Sequence, residues 1–232
     1  MLGLYIDETL TFSEHCMHVL KKCYASLSKI YQLKRMLSFD SKKILIDALI
    51  MSVIRYACPV WLNKLSMSNK IKITRLIRNA GKFVMNKLKY DSISDEISNT
   101  LEWLMPNYLC MYESILLTYN ITFSNCKTLK DYLDFSYLDV TSTRSNNYRI
   151  PTYKYNSNYG ERTFKYQAVK LWLQLPTNIT SQHISSQKHF KKIIMSHILK
   201  SQNNDTCHKS YDNFDYNSCI DRAIARACKY VP

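Results

Sequence analysis

The 232-residue chain carries 32 Lys and Arg against 18 Asp and Glu, a formal net charge of +14, and has only 3 Gly and 5 Pro beside 18 Tyr. That balance disfavours a turn-rich architecture and favours long helices. It suits a polyanionic partner, nucleic acid before an anionic membrane surface, with a merely basic soluble protein as the plain alternative. The longest apolar stretch, Ile44 to Leu62, is interrupted by Asp47, Arg55 and Pro59, so no run approaches the ~20 residues that span a bilayer. No signal-peptide pattern opens the chain, and the expected location is intracellular, in the nucleus and/or cytoplasm.

Leu2 to Asp7 alternates apolar residues and ends at an acidic turn, which predicts a short N-terminal strand. From Ser13 the period becomes helical. Cys16, Val19, Leu20, Cys23, Leu27, Ile30, Tyr31 and Met36 form the expected buried face, with Ser13 as cap. A second helix is expected from Asp40 or Ser41, burying Ile44, Leu45, Ala48, Leu49, Ser52 and Tyr56 and ending by Pro59. Ser68 is expected to open a third, with Ile73, Leu76, Ile77, Ala80, Phe83 and Val84 inward. A fourth helical region straddles Trp103 and Pro106, with Pro106 starting a helix that reaches Thr122. Shorter helices are predicted for Thr128 to Phe135, Glu161 to Leu173 and Ser186 to Lys200, with a strand or extended loop at Tyr148 to Tyr155. The polar tail is expected to be disordered apart from a short helix near Cys219 to Cys228.

Two basic clusters stand out. Between Lys64 and Lys89 there is no acid, and Lys72, Arg75, Arg78 and Lys82 recur at three, three and four residues, sharing one helical face. Cations stacked in this way repel one another unless a polyanion such as a phosphate backbone lies alongside; a solvated face that lacks acids is the alternative. The second cluster runs through Arg144, Arg149, Lys154, Arg162, Lys165 and Lys170, interleaved with Tyr148, Tyr153, Tyr155, Tyr159, Phe164 and Tyr166. Rings that stack on bases beside cations that take phosphates suit unpaired nucleic acid, although any single tyrosine here is better explained by packing.

No catalytic constellation is legible. There is no adjacent Asp-Asp pair, and Asp95-Glu96 suits a helix start electrostatically. His15 and His18 lie near Cys16, and Cys207, His208, Cys219 and Cys228 carry ligand atoms, but neither spacing matches a zinc site. The eight cysteines read as small hydrophobes and free thiols.

Three ordered stretches carry a resemblance. Leu2-Gly3-Leu4-Tyr5-Ile6-Asp7 with Leu10-Thr11-Phe12 and His15 resembles the segment that follows the palm in non-LTR (LINE-type, jockey-like) retrotransposon reverse transcriptases. Ala48-Leu49, Ser52 to Ala57 and Val60-Trp61, followed by the basic helix from Lys72 to Phe83, resemble that family's thumb segment. Thr143-Arg144-Ser145, Tyr159 to Phe164, Lys170 to Pro176 and Phe190-Lys191-Lys192 resemble its downstream signature. The match covers about residues 1 to 200; Ala57, Cys58 and Pro59 depart from the family's pattern after its tyrosine.

The resemblance implies a mainly α fold: a thumb-like helical bundle with a short N-terminal strand and a small mixed C-terminal part. The expected organisation is a residual palm-edge strand at 1–12, the bundle at 13–123, a basic and aromatic region at 124–200 and a tail at 201–232. The family's paired metal-binding aspartates lie upstream of the matching segment, and no matching position is catalytic. The chain is therefore expected to be a fragment of an RNA-directed DNA polymerase that lacks the palm and is not itself an enzyme. It would need no cofactor, Mg2+ belonging only to a full-length parent. Expected partners are template–primer duplex or element RNA, held by Lys72, Arg75, Arg78 and Lys82 first and by Arg144, Arg149 and Arg162 second. The alternatives are a co-opted interaction module, with a protein partner at the palm-facing surface, and an incomplete gene model whose full product is an active polymerase.

Overall fold

The computed structural model describes residues 3–123, 126–133, 160, 163–175 and 186–204. The expected strand at Tyr148 to Tyr155 and the short helix near Cys219 lie outside these residues. Among the described residues the fold is mainly helical, a bundle of nine α-helices with no strand. The N-terminal strand is a correction: Leu4 to Asp7 pairs with no other strand, because the alternating segment has no neighbouring edge to bond to. Asp7 instead serves the first helix, α1 (Ser13–Tyr31). Its carboxylate accepts from the Phe12 N–H at 3.0 Å and from the Thr11 hydroxyl. These two donors, the Thr11 hydroxyl foremost, hold the Asp7 carboxyl below the usual carboxylate range.

Phe12, left-handed at φ 53° and buried, occupies the N-cap position that Ser13 was expected to fill. Ser13 is already helical, and its hydroxyl accepts from Asn69 Nδ2 at 3.3 Å. The buried stripe of α1 is as expected through Ile30, but Tyr31 is 55% exposed and Met36 83%. The helix ends at Tyr31, so the period that would turn Met36 inward no longer applies.

Helix α2 (Phe39–Arg55) begins at Ser38, whose Oγ accepts from the Ser41 N–H, and contains a π-turn at Asp47–Met51. Its inward face is Lys42, Ile46, Ile50, Met51 and Ile54. The expected face is overturned: Ile44 is 67% exposed, and Leu49, Ser52 and Tyr56 also face outward. The wide π-turn accommodates a four-residue spacing, so 46, 50 and 54 stay in one row. Lys42 is tolerated inside because its ammonium donates to Asn86 Oδ1 at 2.7 Å and lies 5.8 Å from the Phe83 ring centre.

At Ala57 (φ 48°) the chain turns left-handed into α3 (Cys58–Trp61), where Pro59 sits in the first turn and lacks no needed N–H. No single described helix is long and apolar enough to cross a membrane; α2 and the following Cys58–Lys64 pass on length and composition only as a pair bent by 45°. Ser66, not Ser68, caps α4 (Met67–Val84), accepting from the Asn69 N–H. All six residues expected inward on α4 are buried. Gly81 permits close approach of α5 (Ser94–Asn99): a Cβ there would lie 3.0 Å from Ile93 Cδ1.

The fourth helical region is also corrected. Trp103 lies in a buried non-helical connection between α5 and α6 (Pro106–Phe123), and α6 starts at Pro106 as expected. Helix α6 is the bundle's hub, packing against α3, α4, α7 (Lys127–Tyr132), α8 (Phe164–Leu173) and α9 (Gln187–Asn204). Phe190 of α9 stacks on Tyr119 of α6 with ring centres 4.0 Å apart.

Gln202 fastens the end of α9. It is 4% exposed, donates to Ser98 Oγ (2.6 Å) and the Trp103 carbonyl (3.0 Å), and accepts from the Met105 N–H (2.8 Å). A Gln202→Leu variant leaves these groups buried without partners, at about 1–3 kcal/mol for each orphaned group. Its urea-unfolding midpoint should fall clearly; an unchanged midpoint would show that α9 is not anchored there.

Candidate nucleic-acid interface

Three contacts align α1 with α4: Asn69 with Ser13, Lys72 with Met17 and Phe83 with Tyr31. Position rises together along both helices, so they run parallel and leave an open groove between their outer faces. One part of the groove, about 660 Å³, is lined by Tyr5, Met17, His18, Lys21 and Tyr24 opposite Lys72 and Arg75. The next, about 670 Å³, continues past Tyr24 to Tyr31 opposite Asn79, Lys82 and Phe83, closed by Lys87 and Lys89. A smaller cleft of about 180 Å³ on the far side of α4 is lined by Arg75, Arg78 and Lys82 together with Asp91.

The structure thus brings Lys72, Arg75, Arg78 and Lys82 together along one flank of α4, beside its apolar stripe. Lys72 Nζ donates to Asn69 Oδ1 at 3.2 Å and lies 3.9 Å from Met17 Sδ. Lys82 Nζ donates to the Lys89 carbonyl at 2.5 Å. These acceptors are neutral, so they orient the ammonium groups without cancelling their charge. Among the described residues no carboxylate lies within ion-pair distance of Lys72, Arg75 or Lys82. Arg75 is exposed, whereas Arg78 is half-buried and its burial lowers the guanidinium pKa from the ordinary value. Lys87 is tied to Glu96 in an ion pair and to the Ser92 carbonyl at 2.8 Å. Glu96, with Asp95 in the first turn of α5, therefore serves structure, as a helix-start acid should.

The aromatic wall was not legible in the sequence. Tyr24 is 40% exposed, and the Tyr5 ring lies 4.7 Å from His18. Tyr24 and Tyr31 are seven residues apart and so share a face of α1, a spacing that could have signalled the row. The histidines act as rings here: buried His15 meets Trp61 edge-on at 4.9 Å, and burial pushes its pKa down. Among the described residues no three His, Cys, Asp or Glu side chains gather as metal ligands.

Of the second cluster, Arg144, Arg149 and Arg162 lie outside the described residues. Lys165 lies 5.8 Å from the Tyr132 ring centre. Cys16, Cys23, Cys58 and Cys110 are buried free thiols, as expected of small hydrophobes, and burial pushes Cys16 and Cys23 up to about 11. A polar cluster missed by sequence reading surrounds Arg55. Burial raises the carboxyl pKa of both Asp47, on the π-turn, and Glu113, on α6, and the Arg55 charge opposes the rise in each.

Comparison with protein families, curated proteins and solved structures gives no match.

Proposed function

We propose that this chain is the thumb-like, nucleic-acid-binding part of a non-LTR retrotransposon reverse transcriptase, holding template–primer phosphates through the cationic flank of α4. The observation that carries the nucleic-acid half of this reading is the row of Lys72, Arg75 and Lys82 beside an open groove, the two lysines held by neutral acceptors. Charges oriented in this way gain from a phosphate backbone through release of its counterions. The retrotransposon half rests on the ordered sequence resemblance. None of the matching positions is catalytic, so binding is the activity assigned and polymerisation is not.

Fluorescence anisotropy of a labelled RNA–DNA duplex, titrated with the full chain at increasing salt, tests the reading. The dissociation constant should rise steeply, with a log–log slope of at least about 2, close to one unit per phosphate contact. A salt-insensitive affinity, or no binding at low salt, would contradict it.

A second reading, a module that recruits a protein partner, is favoured by one observation. Ile44 and Leu49 on α2, Val60 on α3 and Tyr56 in the turn between them are exposed. Apolar association through these residues would be nearly independent of ionic strength, so the same salt titration separates the two readings.

A further inference from the structure

We propose that the groove between α1 and α4 takes a single strand, with unpaired bases stacking on Tyr24 and Tyr31 while Arg75 and Lys82 hold the phosphates. This rests on the nucleic-acid reading above and narrows its ligand. A duplex offers a protein its phosphates and groove edges, for which cations suffice; ring faces along a groove are useful only to bases that are free to stack. Here the exposed rings stand on one wall, with Lys21 beside Tyr24, and two cations stand on the other. Tyr24 and Tyr31, 40% and 55% exposed, lie on α1, while Arg75 and Lys82 lie on α4.

The spacing agrees on both walls. Each pair is seven residues apart, two helical turns, or about 10.5 Å along the axis. The tyrosines are too far apart to stack on each other, and Tyr24 has no ring partner among the described residues. Tyr31 tilts against Phe83 at 5.8 Å, which braces the ring, and the Lys34 ammonium lies 5.2 Å from its centre, so a base stacking there takes the place of that flexible side chain on a ring that is 55% exposed. Among the described residues Glu14 is the one acid that lines either part of the groove, at the end away from Tyr31.

The test uses the full chain with labelled oligo-dT, oligo-U and an RNA–DNA duplex, with poly-glutamate as competitor. Tyr24→Leu or Tyr31→Leu should weaken oligo-dT and oligo-U binding about tenfold each and the pair about a hundredfold, with duplex affinity unchanged. Leucine keeps helix propensity at these exposed sites. Tyr24→Phe with Tyr31→Phe keeps the rings and should bind like the parent. Leucine variants that bind single strands as tightly as the parent would overturn the proposal, as would equal loss for duplex or displacement by poly-glutamate as effective as by oligo-dT. If those variants have no effect while α4 charge reversal still weakens binding, the strand proposal fails and the nucleic-acid reading stands. If the parent binds no oligonucleotide or duplex, both fail.

Discussion

Replacing Lys72, Arg75 and Lys82 together by glutamate is expected to weaken binding to an RNA–DNA duplex by about a hundredfold or more. Each loses a charge-assisted contact to phosphate worth about 1 kcal/mol or more net, and about 1.4 kcal/mol corresponds to tenfold in affinity. The log–log salt slope should fall by about 2 to 3, because three phosphate contacts no longer release counterions. Arg78 is left intact because it is half-buried, so its loss would test packing as well as binding. A matched control reverses Lys188, Lys192 and Lys200, exposed on α9 and outside the groove. Equal losses in control and test variants would mean that net charge alone governs binding.

The second large effect is on stability. Trp61 is fully buried, donates through Nε1 to the Tyr56 carbonyl at 2.9 Å and meets the His15 ring edge-on. It thereby fixes the left-handed turn at Ala57 and joins α1 to α3. Trp61→Ala should cost about 3–5 kcal/mol from packing, a large share of the ~5–15 kcal/mol that stabilises a typical domain. The melting temperature should drop by roughly 6–20 °C. Trp61→Phe keeps a ring but loses the hydrogen bond, and should cost about half as much or less. A drop of only a degree or two for the alanine variant would show that the turn is held elsewhere.

How much of this was legible in the sequence depends on whether one helical face was unambiguous. On α4 the apolar positions from Ile73 onward repeat at three and four, with no large apolar residue between them, and all six expected inward residues are buried. On α2 apolar side chains occur all round, from Ile44 and Leu49 to Ile46 and Ile50, and periodicity alone favoured the wrong side. What decides it is the π-turn at Asp47–Met51, which packs against α1 and which the apolar periodicity of the sequence does not reveal. Caps failed for a related reason: Ser13, Ser41 and Ser68 are plausible oxygens, but which serine has the non-helical backbone depends on where the preceding loop is anchored.

The cationic half of the interface was visible because it lies within one helix. Its aromatic half was not, since the groove exists only where α1 meets α4, some fifty residues further along the chain. Tyr31 in particular reads as core by spacing, yet lies at the end of α1, where the core has run out.

The central claim is that the α1–α4 face holds nucleic acid, and amine-reactive footprinting of the full chain, with and without an RNA–DNA duplex, tests it most directly. Lys72 and Lys82 should lose reactivity on binding, while Lys188, Lys192 and Lys200 on α9 react as before. Protection of the α9 lysines with Lys72 and Lys82 unchanged would contradict the claim and place the interface on α9.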